Sequence, residues 1–356
     1  MRVQRVGNLN QYNHKTKPTK QQTFKGYFAC PIKEIYIQSD WTVKMYPLVK
    51  ELKEKCGKYF DVVVQLRNSA IKAENVKNHL GFIEESRGKG IWSQDNKLFL
   101  ESNELLILKN HPKATSAEDL AEVLGLKTKD STENIIGGNC FLGKKQNGEN
   151  FALIGKRAIF NSFQDYDSAI RDLKIKAENL HIIPQPDFHI DMVIRPLNYP
   201  YVLVGDPNLS KKVVHSNSQK KFLKEINLAK EIYIKCRNFA TADETAANLE
   251  KSGFKPIKVP GIFGKDKVNF MNAIVHQDTD GKLIYITNKT HFDGGGIDYE
   301  GVFKKYLKKH VPQIKEVIFI DGEGFVNENI TKYSGGIHCM TCERPDFENW
   351  NRILNK

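Results

Sequence analysis

Ser334-Gly335-Gly336-Ile337-His338-Cys339-Met340-Thr341 is the stretch on which the interpretation of this chain depends. It places a cysteine shortly after two glycines, and we expect it to follow an apolar strand. The glycines permit a tight backbone turn and the close approach of a ligand. A cysteine beside apolar residues is equally typical of an inert, buried thiol. Its role therefore depends on which other side chains the fold brings to it.

Three further stretches supply polar groups that could meet this thiol. Asp187-Phe188-His189-Ile190-Asp191 contains an H-x-D pair, Trp92-Ser93-Gln94-Asp95 contains another carboxylate, and Gly137-Gly138-Asn139 interrupts an apolar run. We expect His189 and Asp191 to lie on one strand, where alternate side chains point to the same face. The two glycines are typical either of a β-bulge or of a place where another group approaches the backbone closely.

One thiol, one imidazole and two carboxylates together suit the hydrolysis of a guanidinium group. Carboxylates hold the planar N–H groups of a guanidinium by charge-assisted, bidentate hydrogen bonds. A thiolate can add to the central carbon. A histidine can protonate the leaving amine and then deprotonate the incoming water. A cationic substrate also favours the thiolate over the thiol. We therefore interpret the chain as a cysteine hydrolase with Cys339 as the nucleophile.

The order W-x-x-D, G-G-N, H-x-D and G-G-x-H-C-x-T, from Trp92 to Thr341, resembles that of the guanidine-modifying enzymes, or pentein superfamily. This superfamily includes agmatine, arginine and peptidylarginine deiminases and the amidinotransferases. The resemblance implies an α/β fold, namely a five-bladed α/β propeller built of ββαβ units. It also implies a pathway through a covalent amidino-thioether that releases ammonia and leaves a ureido product.

The resemblance assigns roles to particular residues of this chain. The catalytic candidates are Cys339 as nucleophile, His189 as acid and base, and Asp191 and Asp95 as the clamp on the guanidinium. The substrate-binding candidates are Asp95, Asp191, Trp92, Gly138 and Asn139.

Two departures from the family pattern leave the substrate open. Agmatine and arginine deiminases usually carry Glu before the G-G-N/D motif, whereas this chain has Ile136. W-x-Q-D resembles the peptidylarginine deiminases, while I-H-C-x-T resembles the agmatine branch. Agmatine, arginine and peptidyl-arginine all remain candidates. An amidinotransferase that passes the amidino group to an amine is the closest alternative, and a catalytically silent binding module is another.

Helix-then-strand units recur along the chain, which favours one α/β array. Turn signals at Asp280-Gly281 and at residues 144–149 predict two hairpins. The predicted units are helix 41–56 with strand 60–64, a helix begun by Ser116 with a strand at 134–136, helix 166–177 with strand 180–183, a helix begun by the Thr241-x-x-Glu244 capping box with strand 254–259, and a helix around 302–307 with strand 317–320.

With 356 residues, 40% of them hydrophobic and 27% charged, the chain is long enough for a sizeable core. We predict a basic, disordered tail over residues 1–26 and a single pentein-like catalytic domain over residues 27–356. The polar N-terminus has no apolar core of a signal peptide, and no run of about 20 apolar residues is present. We therefore expect a cytoplasmic protein with no membrane partner.

The net charge of +12 is compatible with nucleic-acid binding. However, the lysines are scattered in a way that is more typical of solvated helix faces, so the expected partner is a small-molecule or peptidyl guanidine. Six cysteines without a signal peptide do not predict a disulfide framework. Cys339-x-x-Cys342 has redox or zinc half-site spacing but lacks a matching second ligand pair. We expect no cofactor and no metal, and the oligomeric state stays open.

Overall fold

A computed structural model describes residues 26–27, 29–39, 45–67, 81–85, 92–101, 103–108, 115–131, 135, 137–145, 147–156, 166–184, 187, 189–213, 240–263, 268–292, 297–333 and 335–354. Helices and strands alternate within these ranges, which confirms the predicted mixed α/β class. Residues 1–25, the bulk of the predicted tail, lie outside the described residues, as do Ile136, Phe188 and Ser334.

The strands of the described residues are mostly short. They are β1 (Gly26–Tyr27), β2 (Ile32–Ser39), β3 (Asp61–Arg67), β4 (Gly81–Glu85), β5 (Lys97–Leu100), β6 (Glu104–Ile107), β7 (Lys127–Asp130), β8 (Cys140–Lys145), β9 (Asn150–Gly155), β10 (Leu180–Ile183), β11 (Ile194–Pro196), β12 (Tyr201–Gly205), β13 (Lys255–Val259), β14 (Ile262–Phe263), β15 (Val268–Asn269), β16 (Ile274–Gln277), β17 (Leu283–Asn288), β18 (Ile314–Ile320) and β19 (Thr341–Pro345).

The helices lie between these strands, except for one that follows β19. None of the described helices has both the length and the apolar composition needed to cross a bilayer. They are α1 (Met45–Cys56), α2 (Thr115–Leu124), α3 (Tyr166–Leu173), α4 (Pro207–Val213), α5 (Ala242–Lys251), α6 (Tyr299–His310), α7 (Phe325–Tyr333), α8 (Ile337–Met340) and α9 (Phe347–Leu354). Short 3₁₀ turns cover Ser93–Asn96, Gly137–Asn139, Ala177–Asn179 and Ile190–Met192.

One strand order recurs in five of the sheets formed by the described residues. Each has an antiparallel pair followed by a strand parallel to the second member: β5-β6-β7, β8-β9-β10, β11-β12-β13, β16-β17-β18 and β19-β2-β3. A helix lies between the two parallel strands in every case, as a parallel crossover requires. These sheets therefore contain the ββαβ order that the resemblance implied.

The fifth of these sheets joins the two ends of the described chain. Strand β19 runs antiparallel to β2, with Thr341 opposite Ile37 and Cys342 opposite Tyr36. Helix α8, which carries Cys339, comes immediately before β19. The position of the cysteine is thereby fixed by a strand that belongs to the first sheet of the chain.

Local signals in the sequence predicted several elements correctly. Thr241 caps α5 in a capping box, because its Oγ1 accepts from the Glu244 amide at 3.1 Å and a Glu244 carboxylate oxygen accepts from the Thr241 amide at 2.7 Å. The turn before β17 forms as predicted, with the Gly281 amide 3.0 Å from the Asp278 carbonyl. The second predicted hairpin is β8-β9.

Two predicted strands were wrong. The segment before the cysteine is helix α7 rather than an apolar strand. The strand after α2 is β7, and Ile135, the described residue of the predicted 134–136 strand, lies outside any strand. Strand β7 reads Lys-Thr-Lys-Asp and is largely exposed, so its pairing with β6 leaves no hydrophobic pattern in the sequence. Helix α2 begins at Thr115, so Ser116 lies within it.

Helix α8 lies between two hydrophobic clusters of the core. Cys339 belongs to one cluster, whereas Ile337 and Met340 belong to the other. The half-buried Trp92 packs against both clusters. Because close-packed interiors allow little freedom of side-chain position, this location holds the cysteine in a defined orientation.

Candidate active site

Four short segments bring the predicted site residues together: helix α8 and the turns Ser93–Asn96, Gly137–Asn139 and Ile190–Met192. One atom each of His189, Asp191 and Cys339 lie within 4.8 Å of one another. The predicted strand for the H-x-D pair is wrong, since Asp191 lies inside the turn and His189 comes directly before it. His189 has extended backbone angles and the helical turn follows at once, and both side chains still reach the neighbourhood of Cys339.

Buried polar side chains fix the backbone of these turns. The Asn139 Oδ1 accepts a hydrogen bond from the Ile190 amide at 2.8 Å, which connects the G-G-N turn to the H-x-D turn. Lys97 is fully buried, and its Nζ donates to the Ser93 carbonyl at 3.1 Å and to Asn96 Oδ1 at 3.0 Å. Hydrogen bonds that satisfy buried groups in this way rigidify the segment that carries Asp95.

Close approach, rather than a bulge, explains the two glycines. A Cβ on Gly137 would lie 1.8 Å from the Gln94 carbonyl oxygen. A Cβ on Gly138 would lie 2.7 Å from His189 Nδ1 and 3.3 Å from Asp191 Oδ2. The first two of these distances are shorter than real Cβ contacts, so a side chain at either glycine would force its neighbours to move. The G-G-N turn thus packs directly against both the Asp95 segment and the H-x-D pair.

Replacing Gly138 with Ala is expected to lower kcat/KM by about 100-fold, because the new methyl group displaces His189 and Asp191 from their common pocket. The loss in unfolding free energy should be about 1–3 kcal/mol. Turnover assays and chemical denaturation measure the two effects separately.

Gly125→Ala is the matched control. Gly125 has a φ of 62° and nothing within 4 Å of its added Cβ, so that variant should lose stability but retain activity. Wild-type turnover by Gly138→Ala would contradict the proposed packing.

The backbone of α8 is held by two asparagines, Asn288 at the end of β17 and Asn272 in the bend before β16. Asn288 Oδ1 accepts from the Ile337 amide at 2.8 Å. Asn272 Oδ1 accepts from the amides of His338 at 2.9 Å and Cys339 at 3.3 Å. The Nδ2 of Asn272 also lies 3.1 Å from Cys339 Sγ. A single amide side chain therefore orients both the backbone and the sulfur of the cysteine.

The two oxygens of the Asp191 carboxyl group have different surroundings. Its Oδ2 lies 2.9 Å from Asn272 Nδ2, 2.7 Å from His338 Nδ1 and 3.3 Å from Cys339 Sγ. Its Oδ1 is buried and has no hydrogen-bond partner among the described residues. An unpartnered carboxyl oxygen in a fully buried residue is costly, which is typical of a site that accepts a donor from a ligand.

The site favours neutral forms of its acidic groups. Burial, with a further contribution from the charge of Asp95, raises the pKa of Asp191 to about 8, although the hydrogen bond from Cys339 opposes this. Burial and the charges of Asp191 and Asp95 raise the pKa of the Cys339 thiol well above its ordinary value. A cation placed among these groups would have the opposite effect on both pKa values.

Trp92 and Asp95 also lie near the cysteine, since Trp92 packs against the hydrophobic cluster that contains Cys339 and the charge of Asp95 helps to raise the pKa of its thiol. A Cβ on Gly335 would lie 2.4 Å from the indole ring of Trp92, so the tryptophan packs directly against the residues before α8. Asp95 is largely buried in its turn. The structure thus brings His189, Asp191 and Cys339 together, with Gly138 and Asn139 packed against the H-x-D turn. The roles of the seven predicted site residues stay predictions.

Sequence reasoning missed four residues next to the cysteine: His338, Asn272, Arg195 and Glu343. His338 was visible within the quoted motif, as the immediate neighbour of Cys339, and its ring faces Asp191. Asn272 could have been noticed as a polar residue at the start of an apolar hairpin strand. Arg195 and Glu343 lie in β11 and β19 and carry no local signal of a site.

The cluster of His189, Asp191 and Cys339 could also hold a metal ion by its distances and its ligand types. Cys342 differs from Cys339 in its surroundings. It lies in β19, its Sγ is 3.9 Å from the Lys97 carbonyl, and burial raises the pKa of its thiol to about 12. A thiol of this kind is unreactive.

Comparison with solved structures identifies the architecture. The agmatine deiminase of C. jejuni superimposes with a TM-score of 0.56 and 13% sequence identity over 93% of this chain and 99% of that one. The chain has the agmatine deiminase fold. The agmatine deiminase of Enterococcus faecalis gives a TM-score of 0.55 and 12% identity over 90% of this chain and 96% of that one.

The agmatine deiminase fold confirms the predicted resemblance at the level of architecture. No protein-family model and no curated protein matches this sequence. The low identity means that the similarity lies in the fold, so the chemistry of this chain depends on its own residues.

Proposed function

We propose that this protein is a cysteine-dependent deiminase that hydrolyses the guanidinium group of a small molecule, with agmatine as the first candidate. The observation that carries the proposal is the unpartnered Oδ1 of the buried Asp191, next to the Cys339 thiol. A guanidinium donates in-plane N–H groups and carries the positive charge that this acidic pocket needs.

In the proposed reaction, Asp191 and Asp95 hold the guanidinium while Cys339 attacks its central carbon. The thiol proton passes to His189, a carbon–sulfur bond forms, and His189 then protonates the nitrogen that leaves as ammonia. Water attacks the resulting amidino-thioether and gives its proton to His189. The carbon–sulfur bond then breaks, which releases the ureido product and restores the cysteine.

Electrostatics would make the thiol reactive only when the substrate is bound. The raised pKa values of Asp191 and Cys339 favour the protonated forms in the free protein. A guanidinium cation between the carboxylates lowers both pKa values, because an opposite charge within about 4–6 Å favours the ionised form. The thiolate would then form beside the carbon that it attacks.

Burial favours a small substrate over a polypeptide. Cys339 is 3% exposed and Asp191 is not exposed at all. A site this deeply buried suits a free guanidine compound that is enclosed completely, whereas peptidyl-arginine requires a groove that also accommodates the flanking backbone. The two solved relatives named above are agmatine deiminases, which supports agmatine as the first compound to test.

We further propose that the five ββαβ sheets are the five blades of a propeller and that residues 27–356 form one domain. The antiparallel pairing of β19 with β2 supports this arrangement, because it joins the last described strand to the first of these sheets. Such pairing is a common way to close a ring of sheets.

The decisive experiment incubates the full-length protein with agmatine, arginine or an arginine-containing peptide and measures ammonia and the ureido product. We expect stoichiometric formation of both products, with the highest kcat/KM for a free guanidine compound. Adding glycine or lysine as an amine acceptor should not change the products. A new guanidino compound in the mass spectrum would indicate an amidinotransferase instead, and no turnover of any of the three would overturn the proposal.

A further inference from the structure

Three largely buried groups next to the cysteine, His338, Glu343 and Arg195, form a network that contacts Asp191 but takes no part in the reaction proposed above. His338 Nδ1 lies 2.7 Å from Asp191 Oδ2, and His338 Nε2 lies 3.5 Å from Glu343 Oε1. The same Glu343 oxygen accepts from Arg195 Nη2 at 3.4 Å. His338 and Arg195 are 1% and 6% exposed, so this network is screened from solvent.

The imidazole of His338 therefore lies between two carboxyl groups, one of which belongs to the site. Its ring also lies near the Phe141 ring, at 5.8 Å between centroids, and the Arg195 guanidinium lies 5.1 Å from the same ring. The titratable and charged groups around the His338 ring are Asp191, Glu343 and Arg195. The charge of His189 also lowers its pKa, and Cys339 is its neighbour in the chain. Asp95 acts on it through Asp191.

We propose that His338 is a positioning residue that accepts the Asp191 proton when a guanidinium cation binds. The proposal rests on the function proposed above. In this step the Oδ2–H bond of Asp191 breaks and an Nδ1–H bond forms on His338. The carboxylate then pairs with the bound cation, and the imidazolium lies between Asp191 and Glu343, while Arg195 balances the charge of Glu343. No proton leaves the protein.

The properties of the free protein agree with this sequence of events. Burial, together with the charges of Arg195 and His189, lowers the pKa of His338 well below its ordinary value, so its imidazole starts neutral. Burial raises the pKa of Asp191 to about 8, so this carboxyl group starts protonated at pH 7. A cation at Oδ1 stabilises the carboxylate, and the carboxylate in turn stabilises an imidazolium 2.7 Å away.

Without His338 the Asp191 proton would have to leave for solvent. Binding of a guanidinium would then become coupled to pH, because proton release and ligand binding are linked. This coupling separates the proposed role from a purely structural one, since loss of packing alone changes affinity but not the number of protons released.

Calorimetric titration of the full-length Cys339→Ala protein with agmatine tests the proposal, in two buffers of different ionisation enthalpy at pH 7. We expect proton release close to zero for this parent. Cys339→Ala combined with His338→Asn should release close to one proton per agmatine, and its Kd should weaken about tenfold for each pH unit below 8. The amide oxygen of Asn can accept the hydrogen bond from Asp191 Oδ2–H that Nδ1 accepts, but the amide cannot take up the proton.

Cys339→Ala combined with His310→Asn is the control, because His310 is exposed at the end of α6. It should behave as the parent does. If the His338 variant releases no more protons than the parent, or if the parent already releases one, the proposal is wrong while the proposed function stands. If the parent binds none of agmatine, arginine and an arginine peptide, the proposed function fails and the proton transfer fails with it.

Nuclear magnetic resonance of histidine-labelled Cys339→Ala protein gives a second measurement that does not require the His338 variant to fold. The ring nitrogens of His338 should report a neutral imidazole in the free protein and an imidazolium after agmatine is added. A His338 ring that stays neutral in the saturated complex would overturn the proposal.

Discussion

Replacing Cys339 with Ala should lower kcat/KM for the guanidine substrate by at least about 10⁴-fold, because Cys339 is the thiol that lies beside His189 and Asp191. The fold should survive, since removing one buried sulfur costs about 1 kcal/mol. Ureido product formation is the readout, and circular dichroism checks that the variant is folded.

Cys342→Ala is the matched control for this variant. Both thiols are almost fully buried and lie three positions apart, but Cys342 is in the body of β19 rather than in the site. That variant should keep its activity. Ammonia release that persists in Cys339→Ala would overturn the covalent mechanism.

The residues of the site were predictable because their chemistry depends on residue type and order. Few enzyme reactions need a thiol, an imidazole and carboxylates together. The order of these residues from Trp92 to Cys339 also resembled the motif order of one superfamily. The elements that carry them were predicted less well. The H-x-D pair was placed on a strand, but it lies at a 3₁₀ turn, where the hydrophobic pattern is too short to distinguish the two.

The partners of the site residues could not be predicted, because long-range pairing selects them. Asn272 is 67 positions from Cys339, and His338 is 147 positions from Asp191. Neither an asparagine in a bend before a strand nor a histidine beside a cysteine has a local sequence pattern that identifies its partner. Strand β7 was missed for a similar reason, since backbone pairing with β6 places polar residues in a sheet.

Replacing Asp191 with Asn should have opposite effects on activity and on stability. We expect kcat/KM to fall by about 10³-fold, because one charged hydrogen-bonding partner of the substrate is lost. The variant should nevertheless be more stable than the wild type at pH 9, by about 2 kcal/mol or more.

The sign of this effect follows from the raised pKa of Asp191. The folded protein keeps the proton up to a pKa of about 8, whereas the unfolded chain loses it near the ordinary pKa of 3.8. The wild type therefore loses stability as the pH rises from about 4 to 8, and asparagine has no such dependence. Urea denaturation at pH 5, 7 and 9 should show a difference between the two proteins that grows with pH.

Asp278→Asn provides a control with the opposite sign. Burial acts to raise the pKa of Asp278, but hydrogen bonds from Lys315 and from the Lys282 amide outweigh it and lower the pKa. This variant should be less stable than the wild type near neutral pH, and the difference should vanish as the pH falls below about 4. A stability difference for Asp191→Asn that does not change between pH 5 and 9 would contradict the charge state assigned to the site.

The pairing of β19 with β2 has a consequence for how the protein is made. A ribosome releases the chain from its N-terminus, so β2 can pair with β3 early, but its other edge must wait until residues 341–345 have been synthesised. Contacts between such distant segments form slowly. Because α8 directly precedes β19, the proposed nucleophile is synthesised just before that strand, and a nascent chain halted before β19 should have most of the described sheets but no deiminase activity. The rate at which turnover recovers during refolding would therefore measure the rate at which β19 pairs with β2.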